Sequence, residues 1–168
     1  MADHSFPMSI VFVCSGNICR SPMAEVVLRQ RLAQHGLSET VSVRSAGTGA
    51  WHVGEPADPR AQATLEAHGY SVDHTARQIG PEDLDADLLL VADKGHLQDV
   101  RSLLESDTDG DTDSDTDKVR LIRSFDPTAP ADAEVPDPYY GGDEGFVDVL
   151  GMIERAVDGL VEWIRRNR

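Results

Sequence analysis

The chain has 168 residues, of which 40% are hydrophobic and 27% charged, and its 15 basic and 30 acidic residues give a formal net charge of −15. A chain of this length and composition is expected to fold as one globular domain with a packed core, which excludes extensive disorder. The negative charge disfavours nucleic acid and anionic membranes as partners, because both are bound through compensating Lys and Arg residues.

The sequence also limits where the protein is expected to act. It has no apolar run near the ~18–20 residues that cross a bilayer, and its first residues do not resemble a signal peptide. Its two cysteines, Cys14 and Cys19, are too few for the disulfide framework of a small secreted protein. We therefore expect a reduced, cytoplasmic protein with no membrane partner, and the sequence leaves secretion without a leader open.

Predicted strands and helices alternate along the chain. An apolar, β-branched segment at residues 8–13 predicts a buried strand, and a helix follows from Pro22, which suits a first turn, to a cap at Gly36. The remaining predicted elements are strands at 41–45, 87–92 and 119–122, helices at 60–68, 81–84, 94–105 and 143–166, and loops at 46–59 and 127–142. This alternation predicts an α/β fold in which helices cover both faces of a parallel sheet.

An acidic segment at residues 106–117 interrupts the pattern with six aspartates and no basic residue. It is faintly similar to a calcium-binding EF-hand loop, but a register with Gly110 in the sixth position places Thr116 where the bidentate glutamate belongs. We therefore predict a solvated, disordered insertion within a single domain of residues 1–168, between a helix and an edge strand. The lysine-poor, aspartate-rich composition fits either a high-salt environment or a codon bias.

The most informative residues follow the first predicted strand and precede the first helix. This junction lies at the carboxyl edge of a parallel sheet, where ligands bind. A glycine-containing loop there can direct successive backbone N–H groups toward an anion, and Arg20 can hold two phosphate oxygens with its planar guanidinium. We therefore predict a phosphate-binding loop that includes Ser15, Gly16, Asn17, Ile18, Cys19, Arg20 and Ser21.

Cys14 begins this loop, so its sulfur is expected at the centre of the positively polarised cradle. The field that binds phosphate also favours the thiolate over the thiol, and Ser21 can donate a hydrogen bond to the sulfur. A thiolate that faces a bound phosphate is a nucleophile for covalent phosphoryl transfer. Cys14 is therefore the predicted nucleophile, and the alternative is an ordinary buried cysteine at a strand end.

Three parts of the sequence resemble the low molecular weight protein tyrosine phosphatases. CSGNICRSPMAE at residues 14–25 is similar to that family's phosphate-binding loop, and DPYY at 137–140 to the mobile loop that bears its general acid. SAGT at 45–48 and Trp51 match the region of its second strand and pocket wall. The resemblance covers nearly the whole chain except residues 106–117. It implies a three-layer sandwich around a four-stranded parallel sheet, a two-step reaction, and neither a metal nor another cofactor.

Matched residue by residue, the resemblance implies a role for each part of the site. Cys14 matches the nucleophile, Arg20 the phosphate clamp, and Ser21 the hydroxyl that steadies the thiolate and helps it leave. Asn17 matches the amide that holds the family's loop in shape. Ser45 and His74 match the serine and the histidine that support this amide.

Asp137 is the predicted general acid on physical grounds as well. The phenolate of tyrosine leaves readily only when it is protonated, and a carboxyl group that faces a bound dianion and a thiolate tends to keep its proton. Pro138 fixes the backbone after it. Asp126, which also precedes a proline in this part of the chain, is the rival candidate.

Other residues are assigned to the surroundings of this centre. Aromatic side chains in predicted loops can stack on a phenyl ring, and Ile18 is expected beside the scissile bond. Asp93, after the third strand, is expected to orient Arg20. Cys14 and Cys19 lie on one small loop and can form a reversible disulfide that protects the nucleophile from irreversible oxidation. The predicted pocket residues are Ile18, Trp51, Tyr139 and Tyr140.

The predicted function is hydrolysis of phosphotyrosine in proteins by a monomer, with a tyrosine kinase as one candidate substrate. A protein arginine phosphatase of the same fold is the main alternative, but that group tends to carry threonine where this chain has Ile18. An arsenate reductase is disfavoured because no cysteine follows Cys19 to relay a disulfide. A non-catalytic phosphate-binding module would need neither Cys14 nor Asp137.

Overall fold

The computed structural model describes residues 8–107, 117–140 and 143–167. The strands are β1 (Met8–Cys14), β2 (Val41–Gly47), β3 (Leu88–Val91) and β4 (Val119–Leu121). The helices are α1 (Arg20–Gln34), α2 (Pro59–Ala67), α3 (Pro81–Leu84), α4 (Lys94–Asp107) and α5 (Asp143–Asn167), with 3₁₀ turns at Ile122–Phe125 and Pro138–Tyr140. In this part of the chain, no helix combines the length and apolar character that a membrane span requires.

The four strands form one parallel sheet in the order β2–β1–β3–β4. β1 pairs with β2 along its whole length, from Met8 opposite Val41 to Cys14 opposite Gly47. Because β2 lies on one side of β1 and β3 on the other, the crevice beyond β1 is the switch point at which such sheets bind ligands. The segment that follows Cys14 begins at this point.

Helices cover both faces of the sheet, which confirms the predicted three-layer α/β fold. Side chains of β1 alternate between the faces. Ile10 and Phe12 pack in a core cluster with α1, α2 and α5, while Val11 and Val13 pack in a second cluster with α3 and α4. All four side chains are buried, which explains why β1 is almost entirely apolar.

Some element boundaries differ from those predicted from the sequence. β2 extends through Ala46 and Gly47, which the sequence assigns to a loop, because both residues pair with the end of β1. α1 begins at Arg20, inside the predicted phosphate-binding loop. α4 extends to Asp107, two residues into the segment that the sequence assigns to an insertion. Most of that segment, residues 108–116, lies outside the described residues.

Candidate active site

The segment between β1 and α1 lines a cleft of about 440 Å³ at the carboxyl edge of the sheet. The cleft brings together residues from the loop after β1, the segment after β2 and the segment before α5. Its walls are formed by Cys14, Ser15, Gly16, Ile18, Cys19, Arg20, Trp51, His52, Asp137 and Tyr139, all of them predicted site residues except His52. Among the described residues, no three His, Cys, Asp or Glu side chains are grouped to hold a metal ion.

The backbone carbonyl groups of the loop are bonded to the surrounding scaffold. The carbonyls of Cys14, Ser15, Asn17 and Ile18 accept hydrogen bonds from Thr48 N, Gly49 N, His74 Nε2 and Asp58 N, at 2.9, 3.0, 2.7 and 2.9 Å in that order. In a trans peptide, the N–H of the next residue points the opposite way from the carbonyl. The following N–H groups are therefore turned from the scaffold toward the cleft, as an anion-binding loop requires.

Asn17 fixes the turn of this loop. Its φ of 61° lies in the left-handed region, which asparagine adopts more readily than most residues. Its buried side-chain Nδ2 donates to Ser21 Oγ at 2.8 Å and to Ser45 Oγ at 3.0 Å, while Oδ1 accepts from the Arg77 N–H at 2.9 Å. Asn17 therefore ties the loop to α1, β2 and the segment before α3.

Ser45 and His74 lie in this network, together with Glu25. Ser45 Oγ donates to Glu25 Oε1 at 2.5 Å, and His74 Nδ1 lies 3.9 Å from the same oxygen. Glu25 also pairs with Arg29 one helical turn later, at 2.7 Å. Sequence reasoning missed Glu25, although it lies within the motif at 14–25 and four residues before an arginine on a predicted helix.

Cys14 Sγ lies beside two donors at the N-terminus of α1. It is 2.9 Å from Ser21 Oγ and 3.4 Å from the Ser21 backbone nitrogen. Because Ser21 Oγ accepts from the Asn17 amide, its own proton is free for another acceptor, and Sγ is nearer than the Ala46 carbonyl at 3.5 Å. Both donors, and the helix N-terminus, stabilise negative charge on the sulfur.

Arg20 is buried, with 3% of its surface exposed, and its guanidinium is held in the cleft wall. Nη1 donates to Asp93 Oδ2 at 3.1 Å and to the Val135 carbonyl at 2.9 Å, so the contact that the sequence predicts between Asp93 and Arg20 is present. Nη2 lies 3.6 Å from Asp137 Oδ2. The guanidinium is therefore anchored through Nη1, with Nη2 toward Asp137.

Asp137 lies at the rim of the cleft, immediately before the 3₁₀ turn Pro138–Tyr140. Its Oδ1 accepts from the Tyr139 N–H at 3.0 Å, which orients the carboxyl group. Asp126, the rival candidate, is buried away from the cleft, where it accepts from the Thr128 N–H at 2.8 Å and from Thr128 Oγ1 at 2.7 Å. The structure therefore places Asp137, and not Asp126, beside the loop.

The rim of the cleft is aromatic and partly exposed. Trp51 is 72% exposed and Tyr139 40% exposed, so both rings are accessible to a substrate that enters the cleft, while Ile18 is buried within the wall. The side chain of Tyr140 lies outside the described part of the structure, and its place in the pocket stays a prediction. Sequence reasoning missed His52, whose only signal in the sequence is its position next to Trp51. Its ring lies so close to Gly16 that a Cβ added there would be 2.7 Å from it.

Cys19, the second cysteine of the loop, is buried and present as a free thiol. Burial, reinforced by the negative charge of Asp58, raises the pKa of the Cys19 thiol far above its ordinary value. Cys19 is therefore protonated at neutral pH. The disulfide between Cys14 and Cys19 stays a prediction.

Sequence reasoning also missed His96, a buried residue in the first turn of α4. Its backbone N–H donates to Asp93 Oδ1 at 3.0 Å, and its ring Nε2 lies 2.8 Å from Ser15 Oγ. Burial would raise the pKa of Asp93, but this backbone bond, the charge that His96 carries when protonated and the charge of Arg20 hold that pKa below its usual range. The one signal in the sequence is that Asp93 comes three residues before His96 at a predicted helix start, the spacing at which an aspartate caps a helix.

Comparisons with known proteins agree with this geometry. The family model of the low molecular weight phosphotyrosine protein phosphatases matches residues 9–168. A low molecular weight protein-tyrosine-phosphatase from Streptomyces coelicolor is 50% identical over 160 residues, which cover 94% of each chain. The crystal structure of a protein tyrosine phosphatase from Entamoeba histolytica, with Hepes in its active site, is 33% identical and has a TM-score of 0.84, covering 95% of this chain and 98% of that one.

A likeness also extends to an enzyme named for a different phosphorylated residue. The crystal structure of a Drosophila arginine phosphatase is 30% identical and has a TM-score of 0.83, covering 92% of this chain and 96% of that one. The family match spans nearly the whole chain, and the curated relative carries the same family name at higher identity. This chain therefore belongs to the low molecular weight phosphotyrosine protein phosphatase family, whose members are hydrolases that act on phosphoproteins.

Proposed function

We propose that this chain hydrolyses phosphotyrosine in proteins through a cysteinyl-phosphate intermediate. The observation that carries the proposal is the position of Cys14 Sγ, which two donors of Ser21 contact in a cleft that also holds Arg20 and Asp137. This set supplies a nucleophile, an anion clamp and an acid within one site. The names of the Streptomyces and Entamoeba relatives support the same substrate class.

In the first step, the Cys14 thiolate attacks phosphorus, and the bond between phosphorus and the phenolic oxygen breaks. The electron pair of that bond stays on the phenolic oxygen, which takes a proton from Asp137. The loop N–H groups and Arg20 stabilise the negative charge on the other three phosphate oxygens. The products of this step are tyrosine and phosphocysteine.

In the second step, water attacks the phosphorus of phosphocysteine. Asp137, now a carboxylate, accepts a proton from the water, and the bond between phosphorus and sulfur breaks. The sulfur leaves as a thiolate that the Ser21 hydroxyl and backbone N–H stabilise. Inorganic phosphate departs, and Asp137 carries a proton again for the next turnover.

The proposal is tested first at the nucleophile. Replacing Cys14→Ser removes the thiolate but keeps the loop N–H groups and Arg20, so turnover of p-nitrophenyl phosphate in EDTA should fall at least about 1,000-fold. Affinity for inorganic phosphate should change little. Activity within tenfold of the unmodified chain would contradict a cysteinyl-phosphate intermediate.

The acid is tested with a matched pair of aspartates that each precede a proline. Asp137→Asn should lower kcat on a phosphotyrosine peptide by about 100- to 10,000-fold, the usual contribution of a general acid. Asp126→Asn, which removes a turn-capping carboxylate outside the cleft, should lower the Tm and leave kcat within threefold. Equal losses of kcat in the two variants would contradict the assignment of Asp137.

The choice of an aromatic leaving group rests on the walls of the cleft. Ile18 lies in the loop wall and Trp51 and Tyr139 form the rim, so a phenyl ring gains apolar contacts there. A guanidinium in the same place would leave N–H groups against an apolar side chain. The preference for phosphotyrosine over phosphoarginine is then about 10- to 100-fold, the scale of small apolar differences in a pocket.

The likeness to the Drosophila arginine phosphatase makes phosphoarginine the second candidate substrate. The discriminating measurement is kcat/KM on matched phosphotyrosine and phosphoarginine peptides, for the unmodified chain and for Ile18→Thr. Threonine adds an oxygen that can accept from a guanidinium, so this variant should shift the ratio toward phosphoarginine. A preference of the unmodified chain for phosphoarginine would replace the proposed substrate and retain the cysteine mechanism.

A further inference from the structure

A chain of three polar side chains runs from the phosphate-binding loop into the scaffold behind it. Ser15 Oγ, in the wall of the cleft, lies 2.8 Å from Nε2 of His96. The other ring nitrogen of His96, Nδ1, lies 3.1 Å from Oδ1 of Asp93. His96 is only 4% exposed, so bulk water does not replace either of these two contacts.

The position of the carboxylate fixes which ring nitrogen carries the proton when His96 is neutral. A bare Nδ1 would leave its lone pair 3.1 Å from the negatively charged oxygen of Asp93, and the two would repel each other. The proton therefore resides on Nδ1, where it is attracted by the carboxylate although the alignment is too poor for a hydrogen bond. Nε2 is then an acceptor, and the Ser15 hydroxyl must donate to it.

We infer that His96 is a positioning residue that controls, through Ser15, whether the loop offers a side-chain hydroxyl proton to a bound oxyanion. With neutral His96, the single hydroxyl proton of Ser15 is committed to Nε2, and Ser15 presents only lone pairs to the cleft. When His96 gains a proton, Nε2–H donates to Ser15 Oγ instead. The hydroxyl proton is then released to turn toward the oxyanion.

The charged groups that face the His96 ring decide in which pH range this exchange occurs. They are Asp93 after β3, Asp99 on α4, Arg20 on α1 and Asp137 in the loop before α5. Burial lowers the pKa of His96 below its ordinary value, against the opposing attraction of Asp93. The ring is therefore neutral at pH 7, and its protonation and oxyanion binding should favour each other on the acid side.

This inference rests on the proposed function, because it requires that the loop hold an oxyanion. The probe is sulfate, which keeps one charge state over the range studied, and its Kd is measured by calorimetry in the Cys14→Ser background, where no thiolate titrates. As the pH is lowered from about 7.5 to about 5, sulfate affinity should rise about tenfold. This is the effect expected from one hydrogen bond to a charged group together with one nearby positive charge. Adding Ser15→Ala should remove most of this rise, and Ser15→Thr, which keeps the hydroxyl, should retain it.

His96→Asn should also abolish the rise, and the serine pair decides the question if that buried substitution prevents folding. An equal pH response in Ser15→Ala and its parent would overturn the inference, since Asp93, Arg20 and Asp137 are common to both. A flat response in the parent would overturn it too. Absence of sulfate binding at every pH would overturn both the oxyanion site and this inference. If the Cys14→Ser protein shows pH-linked sulfate binding but the unmodified chain has no phosphatase turnover, the proposed function alone is overturned.

Discussion

Gly47, the last residue of β2, offers the sharpest test of how the scaffold shapes the loop. A Cβ on Gly47 would lie 2.6 Å from the Ser15 carbonyl oxygen and 3.1 Å from the Asn17 nitrogen and the Gly16 carbonyl carbon. All three are backbone atoms of the loop, so no side chain can rotate away. Relief of the overlap requires the loop to move by about 0.5 Å, since carbon and oxygen repel strongly at the shorter distance.

Gly47→Ala should therefore lower both activity and stability. Overpacking of this kind costs about 1–3 kcal/mol, which corresponds to a fall in Tm of roughly 3–10 °C for a domain of this size. Because a displacement of about 1 Å at a catalytic centre can cost about 100-fold, a half-ångström shift of the loop should lower kcat/KM by about tenfold. The assays are p-nitrophenyl phosphate turnover and thermal unfolding.

Gly69→Ala is the matched control for this experiment. Gly69 has a φ of 90°, where alanine is strained, but a Cβ there would meet no atom within 4 Å, and the residue is not part of the cleft. This variant should lose about 1 kcal/mol of stability and keep its kcat/KM. A Gly47→Ala protein that folds and retains kcat/KM within twofold would refute the argument that β2 sets the position of the loop.

Three further outcomes are expected. Ser21→Ala removes the hydroxyl that contacts Cys14 Sγ, so kcat should fall about 10- to 100-fold and alkylation of Cys14 by iodoacetate at neutral pH should slow in parallel. Burial would raise the pKa of Asp83, but its hydrogen bond to Arg77 outweighs this and lowers the pKa. The ionised Asp83 carboxylate therefore stabilises the folded chain at neutral pH, and this stabilisation is lost below about pH 4, where the Tm should fall. In Asp83→Asn, the Tm should depend less on pH in this range. Replacing residues 108–116 by a short Gly/Ser linker should leave kcat within twofold, and a calcium-dependent Tm in the unmodified chain would contradict the view that this segment binds no metal.

The loop and most of its surroundings could be predicted because they are encoded in short, contiguous motifs. The strand before Cys14, the glycine at position 16 and the arginine six residues after the cysteine specify an anion-binding turn locally. Asp137 required the resemblance, since many aspartates could serve as an acid on chemical grounds alone. The choice between Asp137 and Asp126 became clear only when the structure showed that the carboxyl group of Asp137 lines the cleft.

The contacts that sequence reasoning missed depend on where separate elements meet in space. Ser15 and His96 are 81 positions apart, and their contact exists because β3 lies beside β1 and delivers the start of α4 to the loop. Glu25 belongs to the motif at 14–25, but its hydrogen bond with Ser45 exists because β2 lies beside α1. The end of β2 was misassigned for a related reason: Gly47 favours a loop by propensity, but its pairing with Cys14 outweighs that preference.

The bonding of the loop carbonyls to other segments affects how the protein opens. A loop that is held only by its own residues can open locally, but this one is tied through its carbonyls to the segments after β2, before α2 and before α3. The loop is therefore expected to lose its shape only when the whole domain unfolds. An oxyanion at the loop then stabilises the entire chain, by an amount that grows with the logarithm of its concentration. Inorganic phosphate, as the product of the proposed reaction, would thus also protect the protein from proteolysis.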